Sequence, residues 1–367
     1  MQPNHAIRNK EDLLNLFRSQ TLQIFDLEQI KKLFGMNIPQ EVWEHASNKN
    51  LLSFSQEFVQ QTKVFGFKRK EIQYCYLISF LTNLTELDLS NNKISDISSI
   101  YKLTNIKKLN LCSNHIEDIS VLQYLTDLTH FNIQQNLITF YKLALPNLID
   151  LKLGCNSLED KSGLQHSLQL EILNLSETET TDLLRTIPHQ LFGLKDLSLY
   201  KNNIIEISYI SNFVDLQILS LSCNQQLQNI GPLKFCTQLT ELSISETNVA
   251  DIWPLQFMKN LRLLSIDNTQ VIDLHPLQYL YRLEVICADN SCIIDISPLS
   301  NWHAQLKFLT LINNKITNEE TLKHHQNFSE YYFSDQQVPS DIELNFYNKI
   351  LSVYNSYKQI RTIKIIT

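Results

Sequence analysis

Apolar residues recur along most of this chain at a spacing that neither a helix of period 3.6 nor a strand of period 2 explains alone. Residues 81 to 105 read LTNLTELDLSNNKISDISSIYKLTN. Leucine returns at Leu84, Leu87 and Leu89, Asn92 follows, and isoleucines stand at Ile94, Ile97 and Ile100. The pattern L-x-x-L-x-L-x-x-N-x-I starts again at Ile106, Leu128, Leu148, Leu170, Leu194, Leu216, Leu239, Leu261, Leu283 and Leu306. The step is most often 22 residues and never outside 20 to 24. A weaker copy precedes these from Thr62, with Phe65, Phe67, Ile72, Cys75, Ile78 and Leu81 apolar and Lys70 at the asparagine position. About twelve units in register define a repeat architecture in which each coil buries its core against its neighbours.

Each position has a physical role. Leu87 and Leu89 point inward from a short strand, with Asp88 facing out between them. Stacked units then form a parallel sheet with strands about 4.8 Å apart, and each buried leucine is worth about 1.5–3 kcal/mol. The ninth position turns the chain away from the strand and leaves backbone groups inside. Asn92, Asn114, Asn136, Asn156, Asn202, Asn224 and Asn314 are expected to bridge those groups as a structural ladder, with Thr178, Thr247, Thr269 and Ser291 substituting a hydroxyl. The return segment reads I-x-D-I-x-P-L in several units, as in Val271, Asp273, Leu274, Pro276 and Leu277. Asp or Ser there is expected to cap a short turn, and Pro suits its start. About 22 residues leave little room for a full α-helix, so mostly 3₁₀ turns are expected.

These units resemble leucine-rich repeats of the 22-residue class, shared by phosphatase-regulatory repeat proteins and bacterial internalins. The resemblance covers roughly residues 62 to 320. It implies an α/β repeat solenoid, a horseshoe with a parallel concave β-sheet and a mostly 3₁₀ or irregular convex side. It further implies binding of another protein on the concave face.

A solenoid needs closed ends. Residues 1–61 read as an N-terminal cap of helical and degenerate-repeat character, 62–320 as the solenoid, and 321–367 as a C-terminal cap. A capping box at Ser340 to Glu343 opens a helix in that last segment.

Composition narrows the function. The net charge is −7 and no basic column recurs, which disfavours a nucleic-acid partner. Six glycines and no P-loop, H-E-x-x-H or G-x-S-x-G motif leave no recognisable enzyme, cofactor or metal site. Seven cysteines without a CxxC pair read as reduced thiols of an intracellular protein. No apolar run suggests a membrane span, and the N-terminus lacks the apolar core of a secretory signal. A cytoplasmic or nuclear scaffold that binds a protein partner is therefore expected. The alternatives are a phosphatase-regulatory subunit and a surface adhesin of internalin type.

The third, fifth and seventh strand positions face the concave side. Polar residues open the third column; Leu263, Val285 and Phe308 close it, and Ile312 adds to them. Asp267, Asp289 and Glu246 lie nearby, and Tyr200 stands nearer the middle. These eight residues are the candidate partner-binding set, an apolar cluster rimmed by acids that suits a partner with apolar and basic groups. The alternative is that the tail near Tyr331 folds over the cluster as part of the cap.

Overall fold

The computed structural model describes residues 63–66, 78–79, 81–182, 186–300 and 306–318, together with short strands at 6–7, 22–24, 52–54 and 330–332. The chain divides into two compact units, residues 1–172 and 173–367.

In the first unit, β1 (Ala6–Ile7) pairs in parallel with β4 (Val64–Gly66), and β2 (Leu22–Ile24) pairs antiparallel with β3 (Leu52–Phe54). From β4 the parallel ladder runs through β5 (Glu86–Asp88), β6 (Lys108–Asn110), β7 (His130–Asn132) and β8 (Asp150–Lys152). The register advances by one repeat each time: Leu87 faces Leu109 and Leu109 faces Phe131. Next in sequence, β9 (Ile172–Asn174) straddles the division.

In the second unit, β10 (Asp196–Ser198), β11 (Ile218–Ser220), β12 (Glu241–Ser243), β13 (Leu263–Ser265), β14 (Val285–Cys287) and β15 (Phe308–Thr310) form a second run of parallel strands. The last strand, β16 (Glu330–Tyr332), pairs in parallel with β15, with Tyr331 opposite Leu309. This tail segment extends the ladder edge to edge beside β15. The helix expected from Ser340 lies outside the described residues.

Each coil closes on its own apolar set. Leu84, Leu87, Leu89, Ile94, Ile97 and Ile100 are all buried. Most of the described return segments are short 3₁₀ helices, among them Ser98–Lys102 and Trp253–Phe257, whereas the one between β7 and β8 is irregular. The sequence expects Asp or Ser at their caps, and the structure differs in detail. The cap positions are apolar (Ile97, Ile119, Ile252), and the aspartate stands one residue earlier. Asp96 Oδ1 accepts the N–H of Ser98 at 2.7 Å, and Asp251 does the same for Trp253 at 2.8 Å. These are Asx turns, which start the 3₁₀ helix from outside it.

Two further features hold the coils. The ninth-position asparagines span neighbouring turns: Asn114 Oδ1 accepts the N–H of Ile94 at 3.0 Å while its Nδ2 donates to Leu89 and Leu111 O. The eighth position of every full coil from Asn91 to Asn313 is left-handed, with φ from 52° to 61°. No glycine occupies it; Asn91, Ser113, Gln135, Cys155, Lys201 and Glu246 do, among others. Non-glycine residues pay about 1–2 kcal/mol for that conformation. The backbone ties leave little choice, since the N–H of Asn91 reaches Cys112 O at 2.7 Å.

Candidate protein-binding face

The strand face differs between the two units. In the first, the third column carries Glu86, Lys108, His130 and Asp150. Lys108 pairs with Glu86 at 3.0 Å, and Lys152, one column over, pairs with Asp150 at 3.3 Å. Short-range order is built in as well. The fifth-position side chains Asp88, Asn110 and Asn132, and Asn174 at the start of the second unit, each accept the N–H two residues on, at 2.9–3.2 Å.

From β10 to β13 the fifth position is serine (Ser198, Ser220, Ser243, Ser265), which is too short for that bond. The hydroxyls instead pair from coil to coil: Ser222 with Ser243 and Ser245 with Ser265, both at 2.6 Å. In the last coils the seventh column takes over the backbone. Asp267 N–H donates to Ser245 Oγ at 3.1 Å, Asp289 N–H to Asp267 Oδ1 at 2.9 Å, and Ile312 N–H to Asp289 Oδ1 at 2.8 Å. Ser265 and Ser245 also donate to Asp267 Oδ2. Burial pushes the Asp267 carboxyl above its ordinary range, and the hydrogen bonds it accepts from Asp289, Ser265 and Ser245 pull it partly back.

The candidate residues therefore fall into distinct groups. Val285, Phe308 and Ile312 form one buried cluster, exposed by 7%, 3% and 9%, with Leu263 and Cys287 packed against it. An apolar set this far from water is a small core on the strand face. Leu263 is half-buried. Asp267 and Asp289 serve the backbone of the next coil. Glu246 sits at the left-handed eighth position, φ 55°. Tyr200 is half-buried, and its hydroxyl is raised well above the ordinary range, first by burial and then by Cys223, Glu246 and Glu177. Tyr200 and Glu246 thus share one neighbourhood at the strand ends, separate from the apolar cluster.

Sequence reasoning passed over Glu241. It stands in the third column between Ile218 and Leu263, all three half-buried. Its Oε2 is buried without a hydrogen-bond partner, and burial raises its carboxyl against the opposing effect of Arg262. Arg262 is itself engaged by Glu284, with Nε 2.6 Å from Oε1, and Lys307 holds the other oxygen at 2.6 Å. The signal was present in the sequence as a lone acid between two apolar residues one repeat away on either side.

Among the described residues no group of three or more His, Cys, Asp or Glu is placed to hold a metal ion, and no helix is long and apolar enough to cross a membrane. Comparison with known proteins agrees with the repeat reading. A family model for leucine-rich repeats in two copies matches residues 82–124. An internalin from Listeria monocytogenes superposes with TM-score 0.72 at 28% identity, over 84% of this chain and 91% of that one. A leucine-rich repeat protein from Leptospira interrogans does so with TM-score 0.61 at 20% identity, over 76% and 86%. The functional domain of InlJ from Listeria monocytogenes gives TM-score 0.59 at 22% identity, over 81% and 68%. No curated protein matches the chain's sequence.

Proposed function

The chain being a leucine-rich repeat protein, we propose that it is a protein-binding scaffold that works inside the cell and engages its partner on the strand face of the second unit. The observation that carries this reading is the third column of that unit. Ile218 and Leu263 are only half-buried, and beside them lies a floor of small side chains at Ser198, Ser220 and Ser265. Two apolar groups on either side of Glu241, beside a shallow serine floor, give an incoming chain apolar contacts and room for its backbone. Leu263, Glu246 and Tyr200 make the direct contacts in this proposal. Val285, Phe308 and Ile312 stiffen the end of the face, and Asp267 and Asp289 fix the backbone beneath it. Residues 1–61 and 321–367 are proposed as the caps. Binding, not catalysis, is the role assigned to the chain.

The test is affinity capture from the native cell with the wild type and with Ile218→Arg/Leu263→Arg, after circular dichroism has shown equal folding. A specific protein captured by the wild type and lost from the variant is expected. A wild type that captures no specific protein, or a variant with an unchanged set, overturns the reading.

A second reading, a surface adhesin of internalin type, is favoured by the internalin likeness over most of both chains. Protease shaving of intact cells separates the two: the adhesin is cleaved from outside, and the intracellular scaffold is protected. The phosphatase-regulatory variant rests on the repeat class alone.

A further inference from the structure

From β10 to β15 the outward columns of the second unit carry four acids and no base. From Asp196 to Ile312, the third, fifth and seventh positions include Asp196, Glu241, Asp267 and Asp289 but no lysine, arginine or histidine. The first unit, by contrast, mixes signs on the same columns, with Lys108, His130 and Lys152 among its acids. The second face is also not uniformly committed. Asp267 and Asp289 accept backbone N–H groups, so their charge is spoken for. Arg262, whose charge acts on Glu241, is tied to Glu284. Glu241 keeps an oxygen with no donor, held between half-buried Ile218 and Leu263.

That carboxylate is half-buried, keeps one oxygen without a hydrogen-bond donor, and has beside it only the charge of Arg262, already tied to Glu284, so an added cation gains more from it than from a water-exposed acid. Flanking apolar side chains exclude water from the pair and contact the stem of a long basic side chain. We infer that the Ile218–Glu241–Leu263 stretch is a docking site for a polypeptide segment of the partner that carries arginine or lysine between apolar residues. This inference rests on the protein-binding reading and gives the partner its chemistry. The basic head meets Glu241, the apolar neighbours cover Ile218 and Leu263, and the serine floor accommodates the backbone. Nucleic acid, whose phosphates repel four acids, does not fit this face.

The experiment is fluorescence anisotropy of the full chain with a labelled peptide of alternating arginine and leucine, and with the same peptide carrying glutamate for arginine. The arginine peptide is expected to bind and the glutamate peptide not. Glu241→Gln is expected to weaken binding at least about tenfold while its melting curve stays equal or rises. Glu241→Asp, which keeps the charge, is expected to retain most of the affinity. Glu86→Gln on the first unit is expected to change it less than about twofold, which separates site binding from general attraction to an acidic protein. The inference is overturned if the arginine peptide fails to bind, if the two peptides bind alike, or if Glu241→Gln binds as tightly as wild type. A cellular partner lost from Ile218→Arg/Leu263→Arg but kept by Glu241→Gln would remove the basic segment and leave the protein-binding reading standing.

Discussion

The carboxylate of Asp267 accepts the backbone N–H of Asp289, one coil further on, at 2.9 Å. Two serine hydroxyls donate to its other oxygen, so an acid that looks like a surface charge in sequence is part of the frame. Burial nevertheless raises its carboxyl. A raised acid binds its proton more tightly in the folded chain than in the unfolded one. Stability therefore falls as pH climbs from the ordinary aspartate value of 3.8 through the raised range, and the full penalty stands above it. Asp267→Asn keeps an acceptor for Asp289 and removes the charge. Its urea midpoint is expected to equal or exceed that of wild type at pH 7, with the gap closing toward pH about 4.

Asp295 provides the opposite sign. The N–H and hydroxyl of Ser297 hold its carboxyl below the ordinary range. The stability it contributes is present above the ordinary value and is lost as pH falls through the lowered one. Asp295→Asn is expected to melt lower than wild type at pH 7 and alike at pH about 2. Thermal melts at the two pH values check this.

Asn224 shows what a ladder position holds together. Its Oδ1 accepts the N–H groups of Asn202 at 3.0 Å and Ile204 at 2.9 Å, and its Nδ2 reaches Leu199 and Leu221 O. Asn224→Ala strands these buried groups, and a loss of about 3 kcal/mol or more in chemical denaturation is expected. Asn224→Thr should lose less, since Thr247 at the same position of its coil still bonds Ile244 O at 2.7 Å.

Gly163 and Gly193 separate contact from conformation. A Cβ on Gly163 would lie 2.8 Å from backbone atoms of Leu143 and Tyr141 in the previous coil, whereas one on Gly193 meets nothing within 4 Å. Gly163→Ala is expected to cost about 1–3 kcal/mol. Gly193→Ala should be neutral or gain about 0.5 kcal/mol. Paired melts of the two variants give the comparison.

The left-handed eighth position yields the last substitution. Glu246→Gly relieves backbone strain at φ 55° and is expected to gain up to about 1 kcal/mol. Glu246→Val, β-branched in the same conformation, should lose about 1–2 kcal/mol. Denaturant midpoints of the two are expected to move in opposite directions.

The repeat was legible because its cause is one-dimensional. Leu87, Leu109 and Leu151 must be apolar at a fixed step to bury one another's neighbours, and that is written in residue type alone. The eighth position was not legible, since Ser113, Cys155 and Lys201 carry none of the glycine that marks a left-handed residue; backbone ties impose it. Asp267 and Asp289 misled for a related reason. An acid on an outward column reads as surface charge until its distance to the next coil's N–H is known. Phe308 and Val285 read as an open patch because neighbours in space, not in sequence, decide their exposure. Glu241 could be weighed only once its oxygen was seen to lack a partner.

The asparagine ladder has a mechanical consequence. Asn114 ties its own turn to residues 20 and 25 positions earlier, and no such bond reaches far along the chain. Pulled by its ends in an optical trap, either unit should therefore yield in succession from a terminus, like a spring unwinding, and not in one rupture. Each event frees one coil, a lengthening of about 70–80 Å for 22 residues drawn out straight.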